Sequence, residues 1–200
     1  MGNKITKGLL GLAVTAVLVI AALASLPIAL AEDVVCTSDS LAGIFHNVQV
    51  PKGATCVLNP GVWVTGNVEV KAGGSFSASW IPIGKNLNSH EAATIVLLGV
   101  NIGGHAHIKK TTLGTSIISS EIAGNLEIEN QIGGIIKVSE NQIISDLKLK
   151  NNTTPLPASI GGNLIDGNLE CEKNNPNPVA SADNEVLGKK EGQCSVAAGF

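Results

Sequence analysis

A motif of about 20 residues returns along most of the chain, and no other feature constrains the possible folds as strongly. Its clearest copy is Ile122–Asn130, with the sequence IAGNLEIEN. After the Asn, apolar and polar residues alternate, which is typical of a β-strand with one buried face. The motif therefore predicts a solenoid of stacked strands, in which neighbouring coils together bury a core that no single coil could form.

The polar position at the centre of the motif is the most regular polar feature of the sequence. The aligned residues are Asn47, Asn67, Asn86, His105, Asn125, Asp146 and Asn168, at steps of 20, 19, 19, 20, 21 and 22 residues. Stacked amides form hydrogen bonds from coil to coil, so we predict a polar ladder with a structural role. The alternative interpretation is a linear binding face for an extended polymer.

Further short β-like runs, bounded by glycines, lie between the copies of the motif. They are Ser75 to Trp80, Thr94 to Leu98, Ser116 to Ser119 and Ile135 to Val138. The predicted fold class is all-β, a single-stranded parallel β-helix solenoid with two or three strands in each coil of about 20 residues. Some eight coils would form a rod roughly 38 Å long. The coil length drifts from 19 to 22 residues, unlike a hexapeptide repeat, so we favour the right-handed form.

The N-terminal residues 1–31 read as a signal peptide. Lys4 and Lys7 precede an apolar run from Gly8 to Ala24. The sequence Ala29-Leu30-Ala31 follows, which has the small residues of a signal-peptide cleavage site. An uncleaved membrane anchor is the competing interpretation, because the apolar run is long enough to span a bilayer. Cleavage would leave residues 32–200 as one β-helix domain, secreted or held at the cell surface.

The charge of this domain excludes some classes of partner. Without Lys4 and Lys7, 11 of the 13 basic residues remain against 16 acidic ones, a formal charge of −5, and the chain has no Arg. A mildly acidic protein without Arg is a poor ligand for nucleic acid and for anionic membranes, because both demand neutralisation of phosphate. We therefore predict no nucleic-acid partner and no membrane partner after signal cleavage.

Four cysteines in an exported chain predict disulfides. We favour Cys36 with Cys56 and Cys171 with Cys194, because about one repeat separates the members of each pair. These bonds would staple the two ends of the stack, where coils lack a neighbour. A metal site made of these cysteines is disfavoured because the chain lacks a Cys-x-x-Cys pair.

Other candidate sites are weaker. His105 and His107 share one strand face, and Glu127 lies one coil further on, which makes a weak candidate zinc or copper site. Glu127 and Glu170 are separated by two coils, roughly 10 Å, slightly more than an inverting glycosidase pair requires. We therefore predict no catalytic residues and no cofactor. Asn151 and Asn152 begin two overlapping glycosylation sequons within a predicted loop that contains Pro155 and Pro157.

Several segments carry a family resemblance. They are Val64–Val70 (VTGNVEV), Gly161–Cys171 (GGNLIDGNLEC), Asn174–Pro178 (NNPNP) and Gly188–Cys194 (GKKEGQC). In these segments the chain resembles a group of uncharacterised secreted microbial proteins with right-handed parallel β-helix repeats. The resemblance covers nearly all of residues 34–195, and it implies the fold and export without implying an activity.

The fold also resembles that of pectate lyases, which use an acidic calcium cluster with an Arg or Lys base. This chain has no Arg, no acidic cluster of that type and few aromatic residues: Phe45, Trp63, Phe76, Trp80 and Phe200. We therefore expect an exported, non-catalytic protein with a structural or surface-interaction role, whose partner is an extracellular polysaccharide or a surface protein. The alternative is a carbohydrate-active enzyme, a polysaccharide lyase or hydrolase, which a groove combining Trp63 or Trp80 with clustered carboxylates would favour.

Overall fold

The computed structural model describes residues 31–38, 41–196 and 199–200. Over these residues the chain folds as an all-β parallel solenoid with about 20 residues per turn. The predicted signal peptide, residues 1–31, lies outside the described residues except for Ala31. In the described part, no helix is both long and apolar enough to cross a membrane.

Each complete coil contributes three strands, and equivalent strands of successive coils pair in parallel as three columns. The described chain begins with β1 (Glu32–Val35) and β2 (Gly43–Val50), which pair with each other. The first residues of β2 pair with the first column, and its last residues pair with the second column. The first column continues with β4 (Val62–Val64), β7 (Pro82–Ile83), β10 (Asn101–Ile102), β13 (Glu121–Ile122), β16 (Gln142–Ile143), β19 (Leu164–Ile165) and β22 (Glu185–Val186).

The second column follows each copy of the central motif, and the third column closes the coil. The second contains β5 (Val68–Val70), β8 (Leu87–His90), β11 (Ala106–Lys109), β14 (Leu126–Glu129), β17 (Leu147–Lys150), β20 (Leu169–Glu172) and β23 (Lys190–Gly192). The third contains β3 (Thr55–Leu58), β6 (Ser75–Ser79), β9 (Thr94–Leu98), β12 (Gly114–Ile118), β15 (Ile135–Ser139), β18 (Ser159–Gly161) and β21 (Val179–Ala180). A short 3₁₀ helix, Gln193–Ser195, follows β23.

Residues in the left-handed region turn the chain at two corners of the coil. At the corner after the second-column strands, φ is positive at Glu91, Lys110, Asn130, Asn151 and Lys173. At the corner after the third-column strands, φ is positive at Trp80, Gly99, Ser119, Glu140 and Gly162. A single left-handed residue reverses the local bend of an extended chain, so each strand ends where such a residue occurs.

Aliphatic side chains from all three columns fill the interior. One stack of equivalent positions in the second column, all between 0 and 4% exposed, consists of Val50, Val70, Ser89, Ile108, Ile128, Leu149 and Cys171. Full burial of one aliphatic side chain contributes roughly 1.5–3 kcal/mol. Since each core residue packs on its counterparts in the neighbouring coils, the stability of one coil depends on the next.

Disulfides join neighbouring coils at the two ends of the solenoid. Cys36 is bonded to Cys56, with Cα atoms 5.5 Å apart, and Cys171 is bonded to Cys194, with Cα atoms 5.3 Å apart. This pairing is the one that the sequence spacing favours. Beyond the second disulfide, Phe200 is only 5% exposed and covers the last coil.

The sequence identified two of the three columns. The predicted runs at Ser75, Thr94, Ser116 and Ile135 correspond to the third-column strands β6, β9, β12 and β15. The first column escaped prediction because most of its strands contain two residues, too few to show an alternating pattern. Both segments with closely spaced prolines lie in loops. The segment with Pro155 and Pro157 lies between β17 and β18, and Asn174–Pro178 lies between β20 and β21.

Candidate functional site

The seven aligned polar residues form one continuous ladder immediately before the second-column strands. Each side chain accepts the backbone N–H of its counterpart in the next coil, as Asn47 Oδ1 does from Asn67 at 2.8 Å and Asp146 Oδ1 from Asn168 at 2.8 Å. The intervening bonds measure 2.8–3.2 Å. The polar position therefore requires a side-chain acceptor, since each one satisfies a backbone donor at a corner of the coil.

His105 takes its place in this ladder through a ring nitrogen. Its Nδ1 accepts the backbone N–H of Asn125 at 2.9 Å, which places the proton of the neutral ring on Nε2. A metal ion could bind Nε2 only if this proton were lost or moved to Nδ1. A proton on Nδ1 would point at the N–H of Asn125 and break the ladder hydrogen bond.

The other two candidate metal ligands are bonded to each other. Nδ1 of His107 lies 2.9 Å from Oε2 of Glu127, and the ring centroids of His105 and His107 are 5.4 Å apart. Within residues 31–38, 41–196 and 199–200, no group of three or more His, Cys, Asp or Glu side chains is arranged to hold a metal ion. The three residues are neighbours, but the Nδ1 atom of each ring and the Glu127 carboxylate are engaged in contacts within the solenoid.

Two further ladders, absent from the sequence-based prediction, lie buried towards the C-terminal end. One runs through Ser120, Asn141, Asn163 and Asn184, and the other through Gln131, Asn152, Asn174 and Gln193. Each of these residues except Asn184 directly follows a residue with positive φ. The signal in the sequence is the steps of 22 and 21 residues that separate Asn141, Asn163 and Asn184.

The buried ladders place the two candidate glycosylation sites in different surroundings. Asn152 is only 1% exposed, and its Nδ2 donates to the carbonyl of Ile128 at 2.9 Å and to Oδ1 of Asn174 at 2.8 Å. Asn151, the preceding corner residue, is exposed. In the folded chain only the Asn151 amide is accessible to a modifying enzyme, and its glycosylation stays a prediction.

Ion pairs cover the outward face of the second column in its C-terminal half. Lys148 Nζ lies 3.2 Å from Asp146 Oδ2 and 3.6 Å from Glu170 Oε1. Lys150 Nζ lies 2.7 Å from Glu170 Oε2 and 3.7 Å from Glu172 Oε2. Opposite charges thus meet across neighbouring strands, which favours the observed register.

The pKa values of this network follow from the same contacts. Hydrogen bonding to the Glu170 carboxylate raises the pKa of Lys150. Burial alone would lower the pKa of Lys148, but the carboxylates of Asp146 and Glu170 outweigh burial and raise it. Burial likewise works against the charge of Asp146, and the N–H of Asn168 together with Lys148 holds its pKa below the ordinary value. At neutral pH these groups therefore stay charged and paired.

The N-terminal half of the same face is a groove, in which Lys71 is paired with Glu69 and Lys109 with Glu129. Two adjoining depressions of about 490 and 700 Å³ share Glu69 and Asn88 and extend over β2, β5, β8 and β11. Their polar lining comes from Asp33, Asn47, Gln49, Lys52, Asn67, Glu69, Lys71, Asn88, Ser89, His90, His107 and Lys109. This surface is termed the polar groove.

Side chains of the polar groove retain unused hydrogen-bonding capacity. Glu69 is paired with Lys71, whose hydrogen bond holds the pKa of Glu69 below its ordinary value, and Gln49 Nε2 donates to Glu69 at 3.3 Å. Asn88 is exposed, and its amide has no partner among the described residues. The groove therefore offers the Asn88 amide and charges of both signs to a ligand, whereas Lys148 and Lys150 in the C-terminal half are held between carboxylates.

Carboxylates do not converge with the tryptophans at either depression of the polar groove. Lys148 lies between Glu127 and Glu170 in the strand register, so a cation separates the two carboxylates. Trp63 and Trp80 are 56% and 62% exposed, and neither lines the polar groove. The combination that would favour the enzyme alternative is therefore absent from this groove.

Comparisons with protein-family models, with curated proteins and with solved structures found no match. The parallel β-solenoid is shown by the structure itself.

Proposed function

We propose that the protein is an exported, non-catalytic recognition rod that binds an extended extracellular polysaccharide in its polar groove. The observation that carries this proposal is the contrast along one face. In the C-terminal half, Lys148 and Lys150 are held between carboxylates, while the N-terminal half is a groove over four strands in which the Asn88 amide has no partner among the described residues.

Strand spacing supports a linear ligand. Equivalent side chains such as Gln49, Glu69 and Asn88 recur once per coil, about 4.8 Å apart. A polymer lying along the rod would meet a similar donor or acceptor at each coil, so weak hydrogen bonds would add up along its length. The charges in the groove are mixed in sign, which favours a neutral polymer over a strongly anionic one.

Export is supported by the apolar segment near the N-terminus and by the two disulfides. Disulfides persist in oxidising compartments, outside the cytosol. A rod stapled at both ends resists fraying, which suits a protein that works without chaperones. The resemblance to secreted microbial β-helix proteins supports the same location.

The proposal is tested by incubating the purified, disulfide-intact protein with a panel of neutral and anionic polysaccharides. Bound protein and released oligosaccharide are measured separately. We expect retention on at least one neutral polysaccharide without release of sugar. Exchanging both Gln49 and Asn88 for Ala should weaken retention about tenfold, because two hydrogen-bonding groups of the groove are lost.

Glu172→Gln is the matched control, since Glu172 lies on the same face outside the polar groove and is exposed. It should leave retention unchanged. Equal losses in the control and in the double variant would contradict the groove as the binding site. Release of oligosaccharide that disappears on Glu127→Gln or Glu170→Gln would instead establish the enzyme alternative.

A further inference from the structure

Both tryptophans of the chain are exposed at one corner of the solenoid, between the third and first columns. Trp80 follows β6 and Trp63 lies in β4, with 62% and 56% of their surfaces exposed. Trp63 stands beside Pro82 of the next coil, because the following residues Val64 and Ile83 are paired. Trp63, Trp80, Pro82 and Gly99 are termed the aromatic corner.

Trp80 occupies a position that the fold would fill more easily with another residue. Its φ is 54°, a conformation that is strained for a bulky side chain and mild for Gly or Asn. Equivalent corner positions in the following coils hold Gly99, Ser119, Glu140 and Gly162. A large apolar side chain that is both strained and exposed contributes little to the core, which indicates a role at the surface.

Gly99 holds the indole of Trp80 flat. A Cβ atom at Gly99 would lie 2.3 Å from Cε3 and 2.6 Å from Cδ2 of Trp80, so the ring covers the space where a side chain would stand. One face of the indole is therefore seated on the backbone of the next coil, and the opposite face is open. The result is a fixed aromatic platform at the surface.

Uncharged polar groups follow the two tryptophans along the rod. Asn101 pairs with Pro82 in the first column, and Ser119 follows Gly99 at the corner. Acidic side chains come one coil further in each line and accept from these groups: Asn101 Nδ2 donates to Glu121 Oε2 at 3.0 Å, and Ser119 Oγ donates to Glu140 Oε2 at 3.0 Å. The Asn101 Oδ1 and the Ser119 Oγ lone pairs remain as acceptors. The platform thus adjoins hydroxyl and amide groups without a charged side chain at its centre.

We propose that the aromatic corner is a carbohydrate-binding site, in which a pyranose ring of a neutral polysaccharide stacks on the open face of Trp80 and its hydroxyls donate to Asn101 Oδ1 and Ser119 Oγ. The C–H face of a pyranose is flat and apolar, and its hydroxyls point outward, which matches a flat indole bordered by polar groups. The site is separate from the polar groove and does not rest on it.

The size of the aromatic corner argues against a protein partner. Trp63, Trp80 and Ile44, which lies beside Trp63, are 56%, 62% and 60% exposed and together present roughly 400 Å². A standard protein interface needs about 800 Å² from each partner. A single sugar ring fits the smaller area.

Tryptophan fluorescence tests this site selectively, because the chain contains 2 Trp and no Tyr, and neither Trp lines the polar groove. The intact protein is titrated with neutral β-1,4-linked hexasaccharides of glucose, N-acetylglucosamine and xylose. We expect a saturable shift of the emission to shorter wavelength with one of them. Trp80→Asn should lower the affinity by about tenfold, because the stacking platform is lost.

Trp80→Asn also controls for folding, because Asn adopts positive φ readily, and its circular dichroism and melting temperature should match those of the parent protein. Gly99→Ala keeps both indoles, but its methyl group displaces the ring of Trp80 and its φ of 62° strains Ala, so it should weaken binding in the same direction and also lower the melting temperature. The Gln49 and Asn88 double variant should leave the emission change intact.

Three outcomes would overturn the proposal. The first is an emission that does not change at saturating concentrations of any of the sugars, combined with unaltered polysaccharide retention by Trp80→Asn. This result would show that the aromatic corner does not bind carbohydrate. An emission shift that depends on protein concentration alone assigns the corner to a second copy of the chain. An unaltered affinity of Trp80→Asn for the hexasaccharide places the sugar elsewhere.

Discussion

At the scale of single residues, two buried threonines in neighbouring segments differ in whether their hydroxyl group is hydrogen-bonded. Thr111 is fully buried, and its Oγ1 has no hydrogen-bond partner within the described residues. Thr115 is also buried, and its Oγ1 donates to Oε1 of Gln131 at 2.7 Å. An unpaired buried hydroxyl costs free energy, whereas a paired one contributes a modest net stabilisation.

Val has nearly the shape of Thr, so the same substitution at both sites isolates the hydroxyl. Thr111→Val should raise the free energy of unfolding by about 1 kcal/mol, and Thr115→Val should lower it by about 1–2 kcal/mol because Gln131 loses its donor. Urea denaturation of the two variants measures the difference. Destabilisation by Thr111→Val would show that its hydroxyl has a partner in solution.

At the scale of elements, the three ladders differ in their access to water. The ladder from Asn47 to Asn168 runs along the partly exposed corner before the second column, while the ladders through Asn163 and Asn152 are buried. Asn163 illustrates the buried case: its Oδ1 accepts two hydrogen bonds from Asn141, and its Nδ2 donates to Val138 and Asn184. Water cannot replace these partners without entering the core.

Replacing one Asn of a buried ladder and one Asn of the partly exposed ladder by Ala compares the two environments. Asn163→Ala should lower the free energy of unfolding by about 3 kcal/mol, because it strands the buried N–H of Asn141 and leaves a cavity. Asn86→Ala should cost about 1 kcal/mol or less, because water can reach the N–H of His105. Thermal and chemical denaturation measure both values, and equal costs would contradict the assigned difference in burial.

At the scale of the whole molecule, the solenoid is a one-dimensional stack whose ends are its weakest coils. The Cys36–Cys56 bond joins the first coils, and the Cys171–Cys194 bond joins the last ones. Each coil pairs only with its neighbours, so the loss of one crosslink should destabilise only the coils next to it. The stack is therefore expected to open from the end that has lost its staple.

Replacing Cys171 and Cys194 by Ala should cost about 2–4 kcal/mol and speed amide hydrogen exchange in β20 and β23 more than in β11 and β14. The variant with Cys36 and Cys56 replaced is the matched comparison, and it should speed exchange in β2 and β3 instead. Exchange measured by mass spectrometry on peptides distinguishes the ends. A uniform increase along the rod would show that the solenoid opens as a single unit.

The sequence by itself determined the parallel β-solenoid, its coil of about 20 residues and the polar ladder from Asn47 to Asn168. It could do so because each coil repeats the same short-range alternation, and the ladder residue keeps one place in that pattern. The handedness is still a prediction. The sequence also favoured Cys36–Cys56 and Cys171–Cys194, since stacking brings residues one repeat apart into neighbouring coils.

Only the tertiary structure decided which polar side chains have spare hydrogen bonds and which are engaged. Asn88 and Asn152 look alike in the sequence, yet one is exposed in the polar groove and the other is buried in a ladder. Likewise, the two tryptophans could have faced the core, and the structure places both at the surface of one corner. The physical reason is that left-handed corners set where each side chain points, and residues as different as Trp80, Gly99 and Glu140 stand at equivalent corners, so residue type does not mark them.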